Sequence, residues 1–271
     1  MAPRVSEGSS DLSNFSVALF DSGRQARGHA LPRRAFVLAR SAASIVRMAL
    51  PQTCALCAEP CGHRLVCDAC THALPQLAAS CPVCALPSVS GEPCGACLRR
   101  PPPFAATTAA WRYAFPVDRL LHAFKYGGRL ALAEPLANGL TEVLSRQALA
   151  VDGIIPLPLA AARQRERGFN QANEIARRVA RSLGLPMSDA LVRVRDGVPQ
   201  AALKWRERAR HVRKAFAVRR DVEGARVAII DDVMTTGATL TSAAAELRKA
   251  GAQHVELWVV ARTLPPGQDS R

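Results

Sequence analysis

The sequence predicts an α/β protein in which helices flank a parallel sheet and a small cysteine-rich segment precedes that sheet. Residues 227–230 (VAII) form a short apolar run rich in β-branched side chains, which is typical of a strand buried on both faces of a parallel sheet. Residues 153–159 (GIIPLPL) indicate a second buried strand, and a stretch with helical periodicity follows each of the two. The cysteine-rich segment is recognised by four C-x2-C pairs between residues 54 and 97.

The composition is that of a globular protein with one large or two modest domains. The chain has 271 residues, of which 49% are hydrophobic, and its longest apolar candidate, residues 35–50, is interrupted by Arg40 and Arg47. We therefore predict no membrane span. The first 30 residues also lack the basic start and long apolar core of a signal peptide, so we expect a cytoplasmic protein.

The chain carries an excess of positive charge that favours polyanionic partners. Its formal net charge is +14, and arginine supplies nearly all of the positive groups. A basic surface attracts phosphates, diphosphates and nucleic acids. The sequence contains no G-x-x-x-x-G-K-[ST] motif, which excludes an ATP-driven motor of the P-loop class.

Both ends of the chain are predicted to lie outside the folded core. Residues 1–50 begin with a polar stretch rich in Gly, Ser and Arg, and we expect a largely disordered extension with a single helix over 33–50. Residues 265–271 are expected to form a loose tail.

Eight cysteines form a tandem repeat with metal-binding spacing. Each half has the pattern C-x2-C-x9-C-x2-C, and the second half lies 27 residues after the first. The ligand candidates are Cys54, Cys57, Cys67, Cys70, Cys81, Cys84, Cys94 and Cys97. Four thiolates suit a tetrahedral ion, and a segment with few large apolar side chains needs such staples. We predict that residues 51–100 hold one or two Zn²⁺ ions, and that these ions are structural because a closed four-thiolate site has no open coordination position.

Several features of this segment stay open at the level of sequence. Disulfides are disfavoured in a cytosolic chain, but they and an iron–sulfur or redox role remain alternatives to zinc. Each repeat can hold its own ion, or pairs from the two repeats can interleave. Cys61 has no mate in the second repeat, where Ser88 stands 27 residues on, and we interpret it as a spare thiol or a substitute for a neighbouring ligand.

A stiff linker separates this segment from a larger predicted domain, since three prolines at 101–103 precede residues 104–264. Alternating aromatic residues over 111–115 predict the first strand of that domain, and apolar residues at helical spacing over 117–124 predict a helix. A second helix is predicted over 130–145.

A basic loop is predicted after the strand at 153–159. It contains Arg163, Arg165 and Arg167, and a helix over 172–183 follows it. Such a loop either binds an anion or is an ordinary basic surface loop, and the sequence leaves both open.

A second basic segment covers residues 193–220 and contains ten basic side chains. It is interpreted as a mobile cover over an anionic ligand, as a track for a nucleic-acid backbone or as a solvated face. Beyond it, a final strand is predicted over 254–261.

The stretch from Arg226 to Leu240 carries the strongest candidate for a ligand site. Two acidic residues, Asp231 and Asp232, follow the buried strand, and a small hydroxyl-rich turn leads into a helix predicted over 241–249. The turn residues are Thr235, Thr236, Gly237, Ala238 and Thr239. Free N–H groups at the carboxyl edge of a sheet and the start of a helix suit a phosphate. The carboxylates suit sugar hydroxyls and Mg²⁺, so ribose 5-phosphate carrying a diphosphate satisfies both parts.

The stretch VAIIDDVMTTGATL resembles the motif with which type I phosphoribosyltransferases bind 5-phosphoribosyl 1-diphosphate (PRPP). That motif consists of an apolar strand, two acids and a T-T-G-x-T turn. The resemblance implies a type I phosphoribosyltransferase-like sheet. It also implies that Asp231 and Asp232 take the ribose 2′- and 3′-hydroxyls of Mg²⁺-bound PRPP, and that residues 235–239 take the 5′-phosphate.

The chain as a whole resembles the ComF family of competence-associated proteins. The resemblance is carried by the four C-x2-C pairs, by Phe124-Lys125-Tyr126, and by residues 156–158, 163, 167–171, 200–203 and 227–240. It implies a double zinc ribbon before a phosphoribosyltransferase domain and a link to the uptake of external DNA during natural transformation. The implied partners are PRPP, single-stranded DNA and competence or DNA-processing proteins.

The first functional hypothesis is a PRPP-dependent transferase. Diphosphate leaves the ribose C1 as a nucleophile arrives, and Lys125, Arg163 and Arg167 are the candidates that face the diphosphate. The sequence assigns neither a general base nor an acceptor. The alternative is a single-stranded nucleic-acid-binding competence protein that uses the PRPP fold as a ligand sensor without turnover. A third hypothesis is an adaptor that docks a partner through its zinc ribbons.

Overall fold

The computed structural model describes residues 52–194 and 215–265. The predicted extension 1–50, the tail beyond residue 265 and most of the basic segment 193–220 lie outside the described residues. Within the two described ranges, no helix combines the length and the apolar character needed to cross a membrane.

The described ranges fold into helices and strands that largely alternate along the chain. The strands are β1 (Ala106–Arg112), β2 (Gly153–Pro156), β3 (Leu191–Arg193), β4 (Phe216–Val218), β5 (Arg226–Met234) and β6 (His254–Arg262). The helices are α1 (Asp68–His72), α2 (Gly95–Arg99), α3 (Val117–Tyr126), α4 (Ala133–Leu144), α5 (Ala161–Arg167), α6 (Gln171–Leu183) and α7 (Ala238–Lys249). A short 3-10 turn, Leu130–Leu132, precedes α4.

The central feature is a four-stranded parallel sheet in the order β1-β6-β5-β2. Strand β5 lies inside the sheet, with Val227 opposite both Gly153 of β2 and Val255 of β6. Because the four strands run in the same direction, their carboxyl ends meet at one edge, where ligands of such folds bind. Strands β3 and β4 form a separate antiparallel pair. The predicted parallel α/β fold is confirmed.

Both faces of the sheet are covered, which explains why its strands are continuous apolar runs. On β5, Ala228 and Ile230 join a core with α3, α4 and α6, whereas Val227 and Ile229 join a core with α7. All four side chains are completely buried. The buried strand predicted at 227–230 is therefore confirmed.

The predicted helices of the larger domain are present. Those predicted over 117–124, 130–145 and 172–183 correspond to α3, α4 and α6. Helix α7 begins at Ala238, earlier than the predicted residue 241, because Gly237 adopts a left-handed φ of 77° and caps the helix there.

Strand β5 is longer than its apolar run. Its pairing with β6 continues as far as Met234 opposite Arg262. Asp231 and Asp232 therefore belong to the ordered end of the strand and do not lie in a loop after it.

The first strand of the larger domain lies earlier than predicted. The aromatic alternation over 111–115 indicated a strand, but β1 ends at Arg112 and Phe115 is exposed. The interior of β1 is buried residue after residue. In a strand that is covered on both faces, polar and apolar side chains need not alternate. Strand β1 consists mainly of small Ala and Thr residues, so the aromatic alternation that follows it was misleading.

The cysteine-rich segment covers the free edge of β1. The backbone N–H groups of Thr107 and Arg112 donate to the carbonyls of Pro82 and Pro75, each at 2.9 Å. The hydroxyl of Thr107 donates to the carbonyl of Val83 at 2.6 Å. Exposed strand edges promote pairing between molecules, and this segment occupies the edge within one chain.

Gly139→Ala is expected to destabilise the protein even though alanine favours helices. A Cβ atom at this position of α4 would lie 1.9 Å from Cη2 of Trp111, whose residue is 5% exposed. Because Trp111 packs in the core, making room for the methyl group requires the ring to shift and to give up some of its packing contacts. We expect the free energy of unfolding, measured by urea denaturation, to fall by about 1–3 kcal/mol.

The matched control is Asn138→Ala on the exposed side of the same helix, which is expected to keep or slightly raise stability. Adding Trp111→Phe to Gly139→Ala is expected to restore much of the loss, because the smaller ring leaves room for the methyl group. A Gly139→Ala protein as stable as the wild type would contradict this close contact.

Candidate functional site

The acidic pair lies at the carboxyl end of β5, in the interior of the sheet. Asp231 is opposite Val259 of β6, and its Oδ1 accepts a hydrogen bond from the backbone N–H of Asp232 at 2.8 Å. Asp232 is only 8% exposed. Successive side chains of a strand leave on opposite faces, so the two carboxylates present acceptors in two directions.

Lys125 reaches this pair from the last turn of α3. Its Nζ lies 3.0 Å from Oδ2 of Asp232, and the two side chains are 18% and 11% exposed. A charge pair shielded from water interacts more strongly than one on the surface. Any cation or hydroxyl group that binds Asp232 must therefore compete with the Lys125 ammonium.

Asp231 has the more unusual electrostatic environment. Burial of its carboxyl group, together with the negative charge of Asp232, raises the pKa of Asp231 to about 7. The Asp232 amide and the charges of Lys125 and Arg193 act in the opposite direction but do not cancel the rise. Near neutral pH, this group can therefore exist in both protonation states.

The turn after β5 presents backbone N–H groups at the same edge of the sheet. Thr235, Thr236 and Ala238 are exposed, and Thr236 Oγ1 accepts from the N–H of Ala238 at 3.3 Å. Within the described parts of the chain, four N–H groups of this turn donate to no protein acceptor, namely those of Thr235, Thr236, Gly237 and Thr239. Helix α7 starts here, so these donors lie at the positive end of its dipole and suit an anion.

Gly237 is required by the shape of this turn. Its φ is 77°, and a Cβ atom at this position would lie 2.5 Å from Cε of Met234. Met234 is itself 3% exposed beneath the turn. A larger residue would strain the backbone and press on a buried side chain, so glycine sets the path of the turn.

The arginine-rich segment predicted as a loop is the short helix α5. Its sequence, AARQRER, consists of strong helix formers, and Gly168 ends it with a left-handed φ of 77°. Arg163 and Arg165 are exposed on it. Within the described ranges, no ion pair joins Arg163 to either aspartate.

Arg167, the last residue of α5, turns towards α3 and α6. Its Nη2 donates to the Tyr126 hydroxyl at 2.9 Å, its Nη1 donates to Oε1 of Gln171 at 3.0 Å, and its guanidinium lies 4.8 Å from the Tyr126 ring centre. The structure thus brings Arg167 next to the residue that follows Lys125. The three diphosphate-side candidates are separated: Lys125 and Arg167 lie on the same side, and Arg163 points to solvent.

The start of α6 is fastened to the end of β2. Asn170 Nδ2 donates to the carbonyl of Leu157 at 3.0 Å, and Asn170 Oδ1 accepts from the N–H of Ala172 at 3.0 Å. Nε of Arg167 and Nε2 of Gln171 are buried without a hydrogen-bond partner among the described residues. Two buried donors at this edge of the sheet are available to a ligand.

Sequence reasoning gave no role to Tyr126, Gln171 or Arg262, which the structure brings to this edge. Tyr126 directly follows Lys125, and Gln171 is the last residue of the 167–171 motif. Their positions next to candidate residues in the sequence were the signal that could have identified them. No local pattern distinguishes Arg262, because its contacts come from distant parts of the chain.

The eight paired cysteines form two separate groups, one within each repeat. One group is Cys54, Cys57, Cys67 and Cys70, and the other is Cys81, Cys84, Cys94 and Cys97. All sulfur atoms of a group lie within 4.8 Å of one another, and the Sγ–Sγ distance is 3.8 Å between Cys57 and Cys67 and 3.7 Å between Cys84 and Cys94. A tetrahedron with Zn–S bonds of about 2.3 Å has edges of about 3.8 Å, so each group fits zinc.

Backbone amides prepare one thiol of each group for metal binding. Burial opposes ionisation of Cys54, but amide donors from Cys57, Cys67 and Leu56 lower the pKa of its thiol to about 6. Corresponding amides lower the pKa of Cys81 to about 7, again against the effect of burial. The thiolate is the form that binds metal, so both groups are suited to a closed structural site.

Cys61 lies outside both groups. Its Sγ donates to the carbonyl of Arg64 at 2.9 Å, which is the behaviour of an ordinary thiol.

Two family models match the chain. Residues 45–98 match the double zinc ribbon domain, and residues 166–268 match the phosphoribosyl transferase domain. The cysteine groups and the first match together support structural zinc.

Named relatives match more than half of the chain. The chain is 34% identical over 158 residues to the DNA utilization protein YhgH of Salmonella typhi, covering 56% of this chain and 70% of the relative. It is 31% identical over 159 residues to Competence protein F of Haemophilus influenzae, and this match covers 55% of this chain and 69% of the relative. Among solved structures, the allosteric regulatory enzyme of purine biosynthesis matches with a TM-score of 0.35 and 22% identity, over 51% of this chain and 29% of that chain.

Proposed function

Because this chain belongs to the ComF family of competence-associated proteins, whose members include Competence protein F and YhgH, we propose that it binds PRPP and transfers the phosphoribosyl group. One observation carries this proposal: an acidic pair, of which Asp232 is buried, and a turn with open N–H groups lie together where β5 ends and α7 begins. The acidic pair suits the ribose hydroxyls, and the N–H groups of the turn suit the 5′-phosphate.

The acidic pair also fits the cation that accompanies PRPP. Asp231 and Asp232 offer hard oxygen ligands, and Lys125 balances only part of their charge. Mg²⁺ held by these carboxylates, directly or through water, would supply neutralisation of the negative diphosphate.

Lys125 has two roles in this proposal. It holds Asp232 in place through the 3.0 Å ion pair. When Asp232 accepts a hydrogen bond from a ribose hydroxyl, that pair loosens and the ammonium can turn to the leaving diphosphate. Arg167 supports the same side of the ligand through its buried Nε, while Arg163 reaches it only from the exposed face of α5.

The reaction exchanges one bond at the ribose C1. The bond from C1 to the diphosphate oxygen breaks, and its electron pair leaves with diphosphate. A lone pair on the acceptor forms the new bond to C1, and the acceptor loses its proton. The protein contributes mainly by positioning the ribose and by stabilising the developing charge.

The direct test is binding and turnover with the full chain. We expect isothermal titration calorimetry to show binding of PRPP with Mg²⁺, and a screen of nucleobases and other nucleophiles to show diphosphate release with at least one acceptor. Absence of PRPP binding contradicts the whole proposal, whereas binding without release for any acceptor contradicts the transferase step.

The second candidate function is a PRPP-responsive protein that handles single-stranded DNA without turnover. It is favoured by the relatives' names, DNA utilization protein and competence protein, and by the net charge of +14. Under this hypothesis, DNA binding weakens steeply with salt and changes when PRPP is added. We place either function in the cytoplasm, with competence or DNA-processing proteins as partners.

Asp231→Asn is expected to change stability and PRPP binding in opposite directions. The folded-state pKa of about 7 lies above the ordinary value of 3.8, so the carboxyl group's contribution to stability is lost as pH rises from about 4 to 7. The variant should therefore melt higher than the wild type at pH 8 and nearly equally at pH 4. Its PRPP affinity should be lower at pH 8, because the amide cannot replace an ionised acceptor.

The wild-type affinity for PRPP should also rise between pH 6 and 8 more steeply than that of Asp231→Asn. Comparing the two proteins removes the contribution of the ligand's own phosphate groups. Parallel pH profiles would show that Asp231 is not the group that titrates.

A further inference from the structure

Arg262 is a buried guanidinium that joins the second cysteine repeat to the turn after β5. It is the last residue of β6 and is 3% exposed. Its Nε donates to the carbonyl of Cys84 at 2.9 Å, and its Nη1 donates to the carbonyls of Met234 at 2.8 Å and Thr263 at 3.0 Å. Nη1 also donates to the carbonyl of Thr235. Among the described residues, it has no carboxylate partner.

One end of this connection is set by the fold of the second repeat. Cys84 belongs to its four-cysteine group, and Ala85 follows in a left-handed conformation with φ 54°. Ala85 is 2% exposed and shares a core with Met234. L-residues avoid this conformation, so it persists because the surrounding structure, including the metal-binding turn, holds it.

At its other end, the contacts of Arg262 with Met234 and Thr235 control the direction of the open N–H groups in the turn. In a trans peptide, the C=O and the following N–H point in opposite directions. Arg262 draws the carbonyls of Met234 and Thr235 towards itself. The N–H groups of Thr235 and Thr236 therefore point away from the guanidinium, which is the orientation that leaves them open.

The positive charge of Arg262 also complements the charge of the second cysteine group when that group holds zinc. A buried guanidinium without a carboxylate is costly unless a negative group lies near. Zinc bound by four thiolates carries a net negative charge, and the carbonyl that Arg262 binds belongs to one of those ligands.

The first repeat lacks such a connection and provides an internal comparison. Its Cys54, Val66 and Leu74 pack with Trp111 in the core on the opposite face of the sheet. Within the described ranges, no hydrogen bond joins it to residues 235–239.

We propose that Arg262 is a positioning residue through which the second cysteine repeat, when it holds zinc, keeps the turn 235–239 in its anion-binding form. Zinc in the second repeat thereby regulates ligand binding at the neighbouring site, and zinc in the first repeat does not. The part concerning PRPP rests on the proposed function, whereas the coupling of metal to turn does not.

Hydrogen exchange measured by mass spectrometry tests the coupling without any ligand. We expect Cys94→Ser with Cys97→Ser to speed exchange in 235–239 by about ten-fold or more, because local opening becomes easier. Cys67→Ser with Cys70→Ser, which empties the first repeat, is the matched control and should leave exchange in 235–239 unchanged. Equal effects of the two double variants, or no effect of the first, would overturn the proposal.

Arg262→Lys tests the guanidinium itself, since an ammonium cannot span the carbonyls on both sides. We expect faster exchange in 235–239, an unchanged zinc content and an affinity for ribose 5-phosphate about ten-fold lower. Arg248→Lys is the control, because Arg248 also donates to two carbonyls, those of Ala252 and Gln253, away from the turn. Wild-type exchange in Arg262→Lys would overturn the role of this residue.

The outcomes separate the two proposals. If the wild type fails to bind PRPP, the proposed function is wrong, and the exchange comparison still decides whether metal and turn are coupled. If Arg262→Lys does not fold, the two cysteine double variants give the decision. If PRPP binds but both double variants bind it equally well, regulation by zinc is excluded while PRPP binding stands.

Discussion

Replacing Asp231 and Asp232 together by asparagine is expected to reduce the affinity for Mg²⁺ and PRPP by about a hundred-fold or more. Each hydrogen bond to a charged acceptor contributes about 1.5–3 kcal/mol, and every 1.4 kcal/mol is about ten-fold in affinity. The variant replaces both carboxyl groups with neutral amides, each of which keeps a single and weaker oxygen acceptor for the ribose hydroxyls and the cation. Isothermal titration calorimetry with PRPP and Mg²⁺ provides the measurement.

Two comparisons make this result specific. Asp189→Asn removes another carboxylate that pairs with cations, Arg219 and Arg220, on the exposed surface, and should leave PRPP affinity unchanged. Titration with inorganic phosphate reports on the turn alone and should be similar in the double variant and the wild type. Unchanged PRPP affinity in the double variant would show that the acidic pair does not hold the ribose.

Removing zinc from both repeats is expected to have the largest effect on stability. Cys54→Ser with Cys81→Ser takes one buried ligand from each group. Structural zinc contributes roughly 10–16 kcal/mol of binding free energy in zinc-finger peptides, and this segment has few large apolar side chains with which to replace it. We expect the zinc content to fall from about two ions per chain towards none, and the melting temperature to fall by about 10 °C or more.

The same change should promote aggregation. The cysteine-rich segment satisfies the N–H groups of Thr107 and Arg112 on the free edge of β1. When the segment loses its structure, that edge becomes available to other molecules. Light scattering should therefore rise together with the loss of zinc.

Cys61→Ser is the matched control, because Cys61 lies in the same segment but outside both groups. It should keep the zinc content and the melting temperature of the wild type. A similar loss of zinc in Cys61→Ser, or retained zinc in the double variant, would contradict the assignment of the ligands.

Features whose residues are adjacent in sequence were the most predictable. The cysteine spacing predicted metal binding because a C-x2-C turn places two thiolates side by side. The order of strand, acids and turn over 227–239 indicated a sugar phosphate because its chemistry lies in one short segment. Even here, local reasoning failed where a tertiary contact intervened, as with β1, whose burial on both faces removed the alternation on which the prediction relied.

The sequence by itself determined the class of fold, the metal-binding repeat and the candidate ligand motif, since each depends on periodicity or spacing within a few turns of chain. The tertiary structure decided which cysteines share a group, that Lys125 pairs with Asp232, and that Arg262 meets Cys84 across 178 residues of sequence. These contacts arise because parallel strands bring their carboxyl ends to one edge, where distant residues become neighbours. Sequence periodicity carries no information about contacts between such distant residues, so only the packed sheet reveals them.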